Sequence, residues 1–272
     1  MNVIRFLVLF SLLPSLVAAS TPENPHVRLL DKAESMVTVK FVLKVKIDGF
    51  QDSEHEGETV CHLIDANGLV LCSNSELGGY VTQVARMGRG GGVSAAPSEI
   101  EILLKDDTEG RKGRLLVRDT DRDLAWLHLE EPLTEEPPAV LDLSRQAVPE
   151  VGGTVYVVRR LGEFLGSQPI VNEVVIGAIT QKPRRLFVPS TPSALGFGLP
   201  VFTADGSLVG VTALQMPEDG AAPPKRSMAL VGGPLSMQEM IGGLILPAED
   251  LLKATELARE TFADDLPTGT PE

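Results

Sequence analysis

Basic side chains are in short supply. The chain carries 24 Lys and Arg against 37 Asp and Glu, a net charge of −13, so the counterion release that drives nucleic-acid binding is unavailable to it as a whole. Two local basic clusters, Arg159-Arg160 and Lys182 with Arg184-Arg185, read as solvated strand ends or edge-protecting charges. Long apolar runs are equally scarce. Residues 1–19 hold Arg5, an apolar run over 6–18 and the small residues Ala18, Ala19 and Ser20, the pattern of a secretory signal peptide cleaved after Ala19. That run is interrupted by Pro14 and falls short of the roughly 20 apolar residues a spanning helix needs, and no later segment competes, so no membrane span is expected once the signal is removed. Internal repeats and long low-complexity regions are missing too. No serine sits in a small-residue turn of the G-x-S-G type. With only two cysteines, at most one intramolecular disulfide can form.

Period-two patterning dominates what is present. Val37, Val39, Phe41, Leu43, Val45 and Ile47 alternate with Thr38, Lys40, Lys44 and Lys46, the signature of a half-buried strand. The stretch 51–58, with its run Asp52-Ser53-Glu54-His55-Glu56, reads as a solvated acidic loop. Residues 88–93 read as a glycine-rich insertion and 216–225 as an exposed loop. Segments 153–160, 170–181, 199–202 and 207–215 read as strands. The stretch 248–262 places Leu251, Leu252, Ala254 and Leu257 on a helical stripe behind an acidic start.

The cysteines follow from the hairpin around Asp65–Gly68. If Ala66 and Asn67 are the central pair of its turn, residues whose numbers sum to 133 face one another, and Cys61 and Cys72 satisfy that sum. A Cys61–Cys72 disulfide is expected, and two free buried thiols are the alternative. A zinc site built from Cys61, His62 and Cys72 is disfavoured because neighbouring residues on a strand point to opposite faces, and neither a metal nor another cofactor is expected.

Three segments carry a family resemblance. TVCHLIDANGLVLCSNSEL (59–77), DTDRDLAWLHL (119–129) and LGFGLPVFTADGSLVGV (195–211) follow the order and spacing of the motifs GSGFIIxxxGYILTNxHV, DPxTDLALLK and GNSGGPLFNxxGxVVGI. The chain thus resembles trypsin-like serine proteases of the HtrA/Deg type over about residues 35–260. Segment 242–249, GGLILPAE, is similar to the family's GFAIPxD strand. The resemblance implies an all-β fold, a trypsin-like double β-barrel with a C-terminal helix. It divides the chain into a signal peptide (1–19), an N-terminal segment (20–34), a first barrel (35–131), a linker (132–138), a second barrel with the helix (139–262) and a disordered tail (263–272). The PDZ module that often follows such protease domains is not expected.

The same alignment removes the catalytic parts. The general-base histidine falls on Ser75, the orienting aspartate on Asp123 and the nucleophilic serine on Phe197. A serine hydroxyl attacks only when an imidazole takes its proton, and a carboxylate holds that imidazole in the right tautomer. Ser75 is no base near neutral pH and Phe197 has no nucleophilic atom. The oxyanion turn of the family corresponds to Leu195, Gly196 and Gly198, with leucine replacing glycine at Leu195 and Leu199. The resemblance therefore implies an exported, periplasmic or extracellular protein that is non-catalytic, a binding or scaffolding domain whose former substrate cleft takes a peptide or protein partner, or one that forms homo- or hetero-oligomers. The competing reading is an active serine hydrolase using displaced residues, with Ser75, Ser190 or Ser193 as nucleophile and His62 or His128 as base; neither histidine occupies the family's base position.

Overall fold

A computed structural model describes residues 24–87, 92–104, 109–133, 139–190, 196–215 and 243–262, with the backbone alone for 84–87. The signal peptide, residues 134–138 of the linker, the insertion at 88–91, Ser193, Leu195, the loop after 215 and the tail lie outside the described residues.

Twelve strands close into two antiparallel barrels. The first is built from β1 (Met36–Ile47), β2 (Ser53–Leu63), β3 (Leu69–Ser73), β4 (Val93–Leu103), β5 (Arg111–Asp119) and β6 (Leu124–Leu129). The second uses β7 (Thr154–Arg160), β8 (Pro169–Thr180), β9 (Leu186–Pro189), β10 (Pro200–Phe202), β11 (Leu208–Ala213) and β12 (Leu244–Pro247). Spatial order runs β1-β2-β3-β6-β5-β4 in one and β7-β8-β9-β12-β11-β10 in the other, the same winding twice. Closure leaves neither barrel a free edge for pairing with another chain. With a C-terminal helix against them, the two barrels form a trypsin-like double β-barrel, the all-β architecture the motifs imply.

Alternation in each strand sorts side chains between two destinations. Val37, Val39, Cys61, Leu63, Val70 and Cys72 fill the interior of the first barrel, and Val155, Val157, Phe187, Val201, Val209 and Ile245 fill the second. Their strand neighbours point outward into a third core shared by both barrels, where Ile64, Leu71 and Trp126 meet Val158, Phe202 and Val211. The β2–β3 register pairs His62 with Leu71 and Leu63 with Val70, and the same sum places Cys61 opposite Cys72, which are joined in a disulfide. The turn that sets this register is locked locally. Asp65 Oδ1 accepts the N–H groups of Asn67 and Leu69 at 2.9 and 3.2 Å, and Gly68 takes φ +92°, a conformation open to glycine.

One expected loop is a strand. Residues 53–58 pair with β1, Lys44 facing Glu54 and Val45 facing Ser53, and the acidic run is matched by ion pairs Lys44–Glu54 at 3.5 Å and Lys46–Asp52 at 3.6 Å. Opposite charges across a ladder offset the self-repulsion that makes this run read as a loop.

Short helices complete the chain. Asn24 caps α1 (Pro25–Arg28) through its side chain, with the His26 N–H 3.0 Å away. A 3₁₀ turn at Leu30–Ser35 docks on the second barrel, where Arg160 donates to the Ala33 carbonyl at 3.0 Å and Lys32 lies 5.6 Å from the Phe202 ring centre. Helix α2 (Tyr80–Met87) follows the site segment. Helix α3 (Ala248–Thr261) starts with Glu249 and Asp250, favourable against its dipole, and buries Leu251, Ala254, Thr255 and Ala258 in the shared core. Leu257, expected on that stripe, is 63 % exposed: at 100° per residue it lies about 120° from Leu251. The helix ties to the first barrel through Trp126 Nε1, which donates to Thr255 Oγ1 at 3.3 Å, and through an Arg259–Asp65 ion pair at 2.8 Å.

The two basic clusters sit at opposite ends of β8, Arg159 and Arg160 opposite Ile170 and Pro169, and residues 182–185 in the turn after Thr180. Arg159 bonds Asn172 at 3.2 Å, Arg160 bonds Ala33, and Arg185 pairs with Glu249 at 3.1 Å.

Candidate functional site

The site is assembled where the shared core reaches the ends of β3, β6 and β11. Asp123 opens β6 with φ +60°, a left-handed conformation that aspartate tolerates better than most residues. Its side chain is buried, 1 % exposed, and three donors converge on it. Ser75 N–H donates to Oδ1 at 2.7 Å, while Ser73 Oγ and Leu214 N–H donate to Oδ2 at 3.0 and 2.8 Å. Desolvation nonetheless raises its pKa above the ordinary carboxylate value, outweighing the Leu214, Ser75 and Ser73 donors that pull the other way. The backbone reinforces the placement, since Asn74 N–H donates to the Asp123 carbonyl at 3.0 Å.

Ser75 therefore stands beside Asp123 and is joined to it through its main chain. Its side chain is buried, 7 % exposed, and offers a hydroxyl where proton transfer would need an imidazole. The segment that follows, Ser75–Gly79, is a single tight turn. Arg118 braces it with bonds to Asn74 Oδ1 and the Leu77 carbonyl, both 3.0 Å. Asn74 has 0 % exposure.

Across the barrel boundary lies the turn at 196–199. Gly196 and Gly198 take φ +104° and +74°, and a Cβ at Gly198 would come within 3.1 Å of the Ser73 nitrogen. Glycine is thus required there for conformation and for close approach. Two N–H groups of this turn are engaged within the chain. Gly198 N–H donates to the Thr212 carbonyl at 2.6 Å and Leu199 N–H to Thr212 Oγ1 at 2.9 Å. Partial burial, then the Asp123 charge, raises the pKa of Glu76 above the usual carboxylate range, against a smaller opposing pull from the Phe197 backbone. Phe197 itself is half-buried.

His62 links the two halves. Its imidazole is fully enclosed, with Nε2 3.0 Å from the Gly198 carbonyl, which fixes the proton on Nε2 when the ring is neutral. Burial pushes it down to about 4, against the opposing pull of the Gly198 carbonyl.

The structure thus brings Ser75, Asp123, Gly198 and Phe197 into one locus; Leu195 lies outside the described residues. Among the described residues, which do not include Ser193, those of the displaced-hydrolase reading do not assemble. His128 is buried with Nδ1 on the Leu129 carbonyl, and neither its imidazole nor that of His62 hydrogen-bonds a serine. Ser190 N–H is spent on the Val175 carbonyl at 2.8 Å. Among the described residues, no group of three or more His, Cys, Asp or Glu has the placement to hold a metal ion. No helix among them is long and apolar enough to cross a membrane.

Sequence reasoning missed the cross-barrel role of His62 and the placement of Glu76. His62 had one signal: a histidine between Cys61 and Leu63, on the outward face of a strand end that is otherwise apolar. Glu76 had none.

No protein-family model matches the chain, and no curated protein matches it significantly.

Proposed function

We propose that the protein is a catalytically degenerate relative of HtrA-type serine proteases, exported through its N-terminal signal, that works as a binding or scaffolding domain. The observation that carries this reading is the hydrogen bonding of Asp123. In a working triad this carboxylate orients an imidazole; here its partners are Ser73, Ser75 and Leu214, and no base or nucleophile accompanies it. Retained, it is a structural acceptor that fastens β3, β6 and the end of β11 together.

Two further features favour binding over chemistry. A phenyl ring at Phe197 offers an apolar surface where a nucleophile would stand, and the Gly198 and Leu199 amides after it are spent on Thr212, so neither is free for a developing oxyanion. The Cys61–Cys72 bond suits an oxidising compartment outside the cytoplasm. The partner in this reading is a peptide or protein loop in the former cleft, with homo- or hetero-oligomers as the other use of the same domain; the acidic balance disfavours nucleic acid. Panning a displayed peptide library on the folded chain and on Phe197→Ala tests it: peptides retained by the wild type should be lost from the variant, and equal retention by both contradicts cleft binding.

A further inference from the structure

The turn between β8 and β9 departs at Arg184 from a row of solvated charges. Its neighbour Arg185 is paired with Glu249, 3.1 Å away, and lies 5.9 Å from the Phe187 ring centre. Glu249 also takes Lys253 at 2.7 Å, so that one carboxylate already answers two cations. Arg184 is different. Its Nε and Nη1 are enclosed and have no hydrogen-bond partner among the described residues. Guanidinium nitrogens taken out of water without an acceptor are costly, and a native fold that holds them so calls for a group that completes them. The backbone around Arg184 is fixed in advance: Thr180 Oγ1 accepts the Lys182 N–H at 3.1 Å and lies 2.8 and 3.2 Å from the Lys182 and Arg184 carbonyl oxygens. One hydroxyl thus gathers the chain on both sides of Pro183. Arg184 as a residue is half-buried rather than sealed, and Lys182 beside it is exposed, so the guanidinium is within reach of a ligand from solvent.

We propose that Arg184 anchors an oxyanion site in the β8–β9 turn, and that the group it takes is a phosphate. Charge selects the ligand. Lys182, Arg184, Arg185 and Lys253 stand against Glu249 and Asp250, a local positive excess on a chain of net charge −13. A carboxylate leaves part of that excess, whereas a phosphate dianion cancels it and presents oxygens that match the arginine fork equally well. The site is separate from the cleft. Strand β12 pairs Leu244 with Ala213, next to the Leu214 that binds Asp123, and pairs Pro247 with Gly210 at its other end, where Glu249 and Arg185 meet. The inference therefore goes beyond the non-catalytic reading and does not depend on it.

The test follows the arginine Nε–H resonances of residues 20–272 by ¹⁵N–¹H correlation spectroscopy at constant ionic strength, titrated with inorganic phosphate and, separately, with acetate. The Arg184 resonance is the one lost in Arg184→Gln. Phosphate should move it saturably while the Arg159 and Arg160 resonances stay in place, and should raise the denaturation midpoint of the wild type but not of Arg184→Gln. Arg184→Lys, which keeps the charge without the fork, should bind phosphate about tenfold more weakly, the worth of one charge-assisted hydrogen bond. Acetate should bind more weakly than phosphate. Retention on phosphatidylglycerol vesicles that free phosphate relieves assigns the group to a lipid headgroup, and saturable phosphate binding without retention assigns it to a soluble phosphate. Equal affinity for acetate and phosphate, a shift shared by all arginines, or equal phosphate affinity in the wild type, Arg184→Lys and Arg184→Gln overturns the proposal.

Discussion

His62 and Gly198 are bolted together across the barrel boundary: the imidazole Nε2 lies 3.0 Å from the Gly198 carbonyl although 136 residues separate them. One partner sits on β2 and the other in the turn that would carry a nucleophile, so the ring transmits the position of the first barrel to that turn.

Acid should loosen this bolt. The imidazole binds its proton at about 6.5 when unfolded and at about 4 in the fold. A depressed value means that the unfolded state takes up the proton first, so the full contribution to stability is present above 6.5 and drains away as pH falls to about 4, roughly 3 kcal/mol over the window. The difference in unfolding free energy between the wild type and His62→Phe, measured by denaturant titration at several pH values, should narrow or reverse across this interval. Parallel profiles would contradict the buried neutral ring.

Asp123→Ala should cost about 3 kcal/mol or more. It leaves the Ser75 and Leu214 N–H groups and the Ser73 hydroxyl without their acceptor, each a buried donor with a penalty of about 1 to 3 kcal/mol, and puts alanine at φ +60°. Asp123→Asn should cost less, because asparagine tolerates that conformation, keeps one acceptor oxygen and places no charge where burial disfavours one. An unshifted denaturation midpoint for Asp123→Ala would remove the structural role.

The disulfide closes a short loop, Cys61 and Cys72 being 11 residues apart, for which loop-closure entropy gives about 3 kcal/mol. The double variant Cys61→Ala, Cys72→Ala should lose about that much in urea titrations. Both sulfurs lie in the interior of the first barrel, so the disulfide should resist mild reductant in the folded protein and yield to it in denaturant. Equal reduction in both states would contradict that burial.

Much of this was legible locally. The β1 alternation, the hairpin register through Asp65–Gly68, the strands of the second barrel and the start of α3 depend on residues near one another in sequence, and the structure agrees with each. The acidic run at 53–58 depended on lysines of the neighbouring strand, which local composition does not reveal. Leu257 satisfied an apolar pattern yet fell off the buried face, where Thr255 and Ala258 point instead. Site geometry was legible only in part: the motifs located Ser75, Asp123 and Phe197, but the contacts that define the site, Leu214 on Asp123 and Gly198 on His62, join segments far apart in the chain.

The central claim is that the site holds no competent nucleophile, and the most direct measurement is labelling of residues 20–272 with a fluorophosphonate serine-hydrolase probe, read by intact mass beside a denatured control. The account predicts no adduct on a chain whose circular dichroism is that of a folded β protein. A stoichiometric adduct that disappears on denaturation, mapped to one serine, would contradict it.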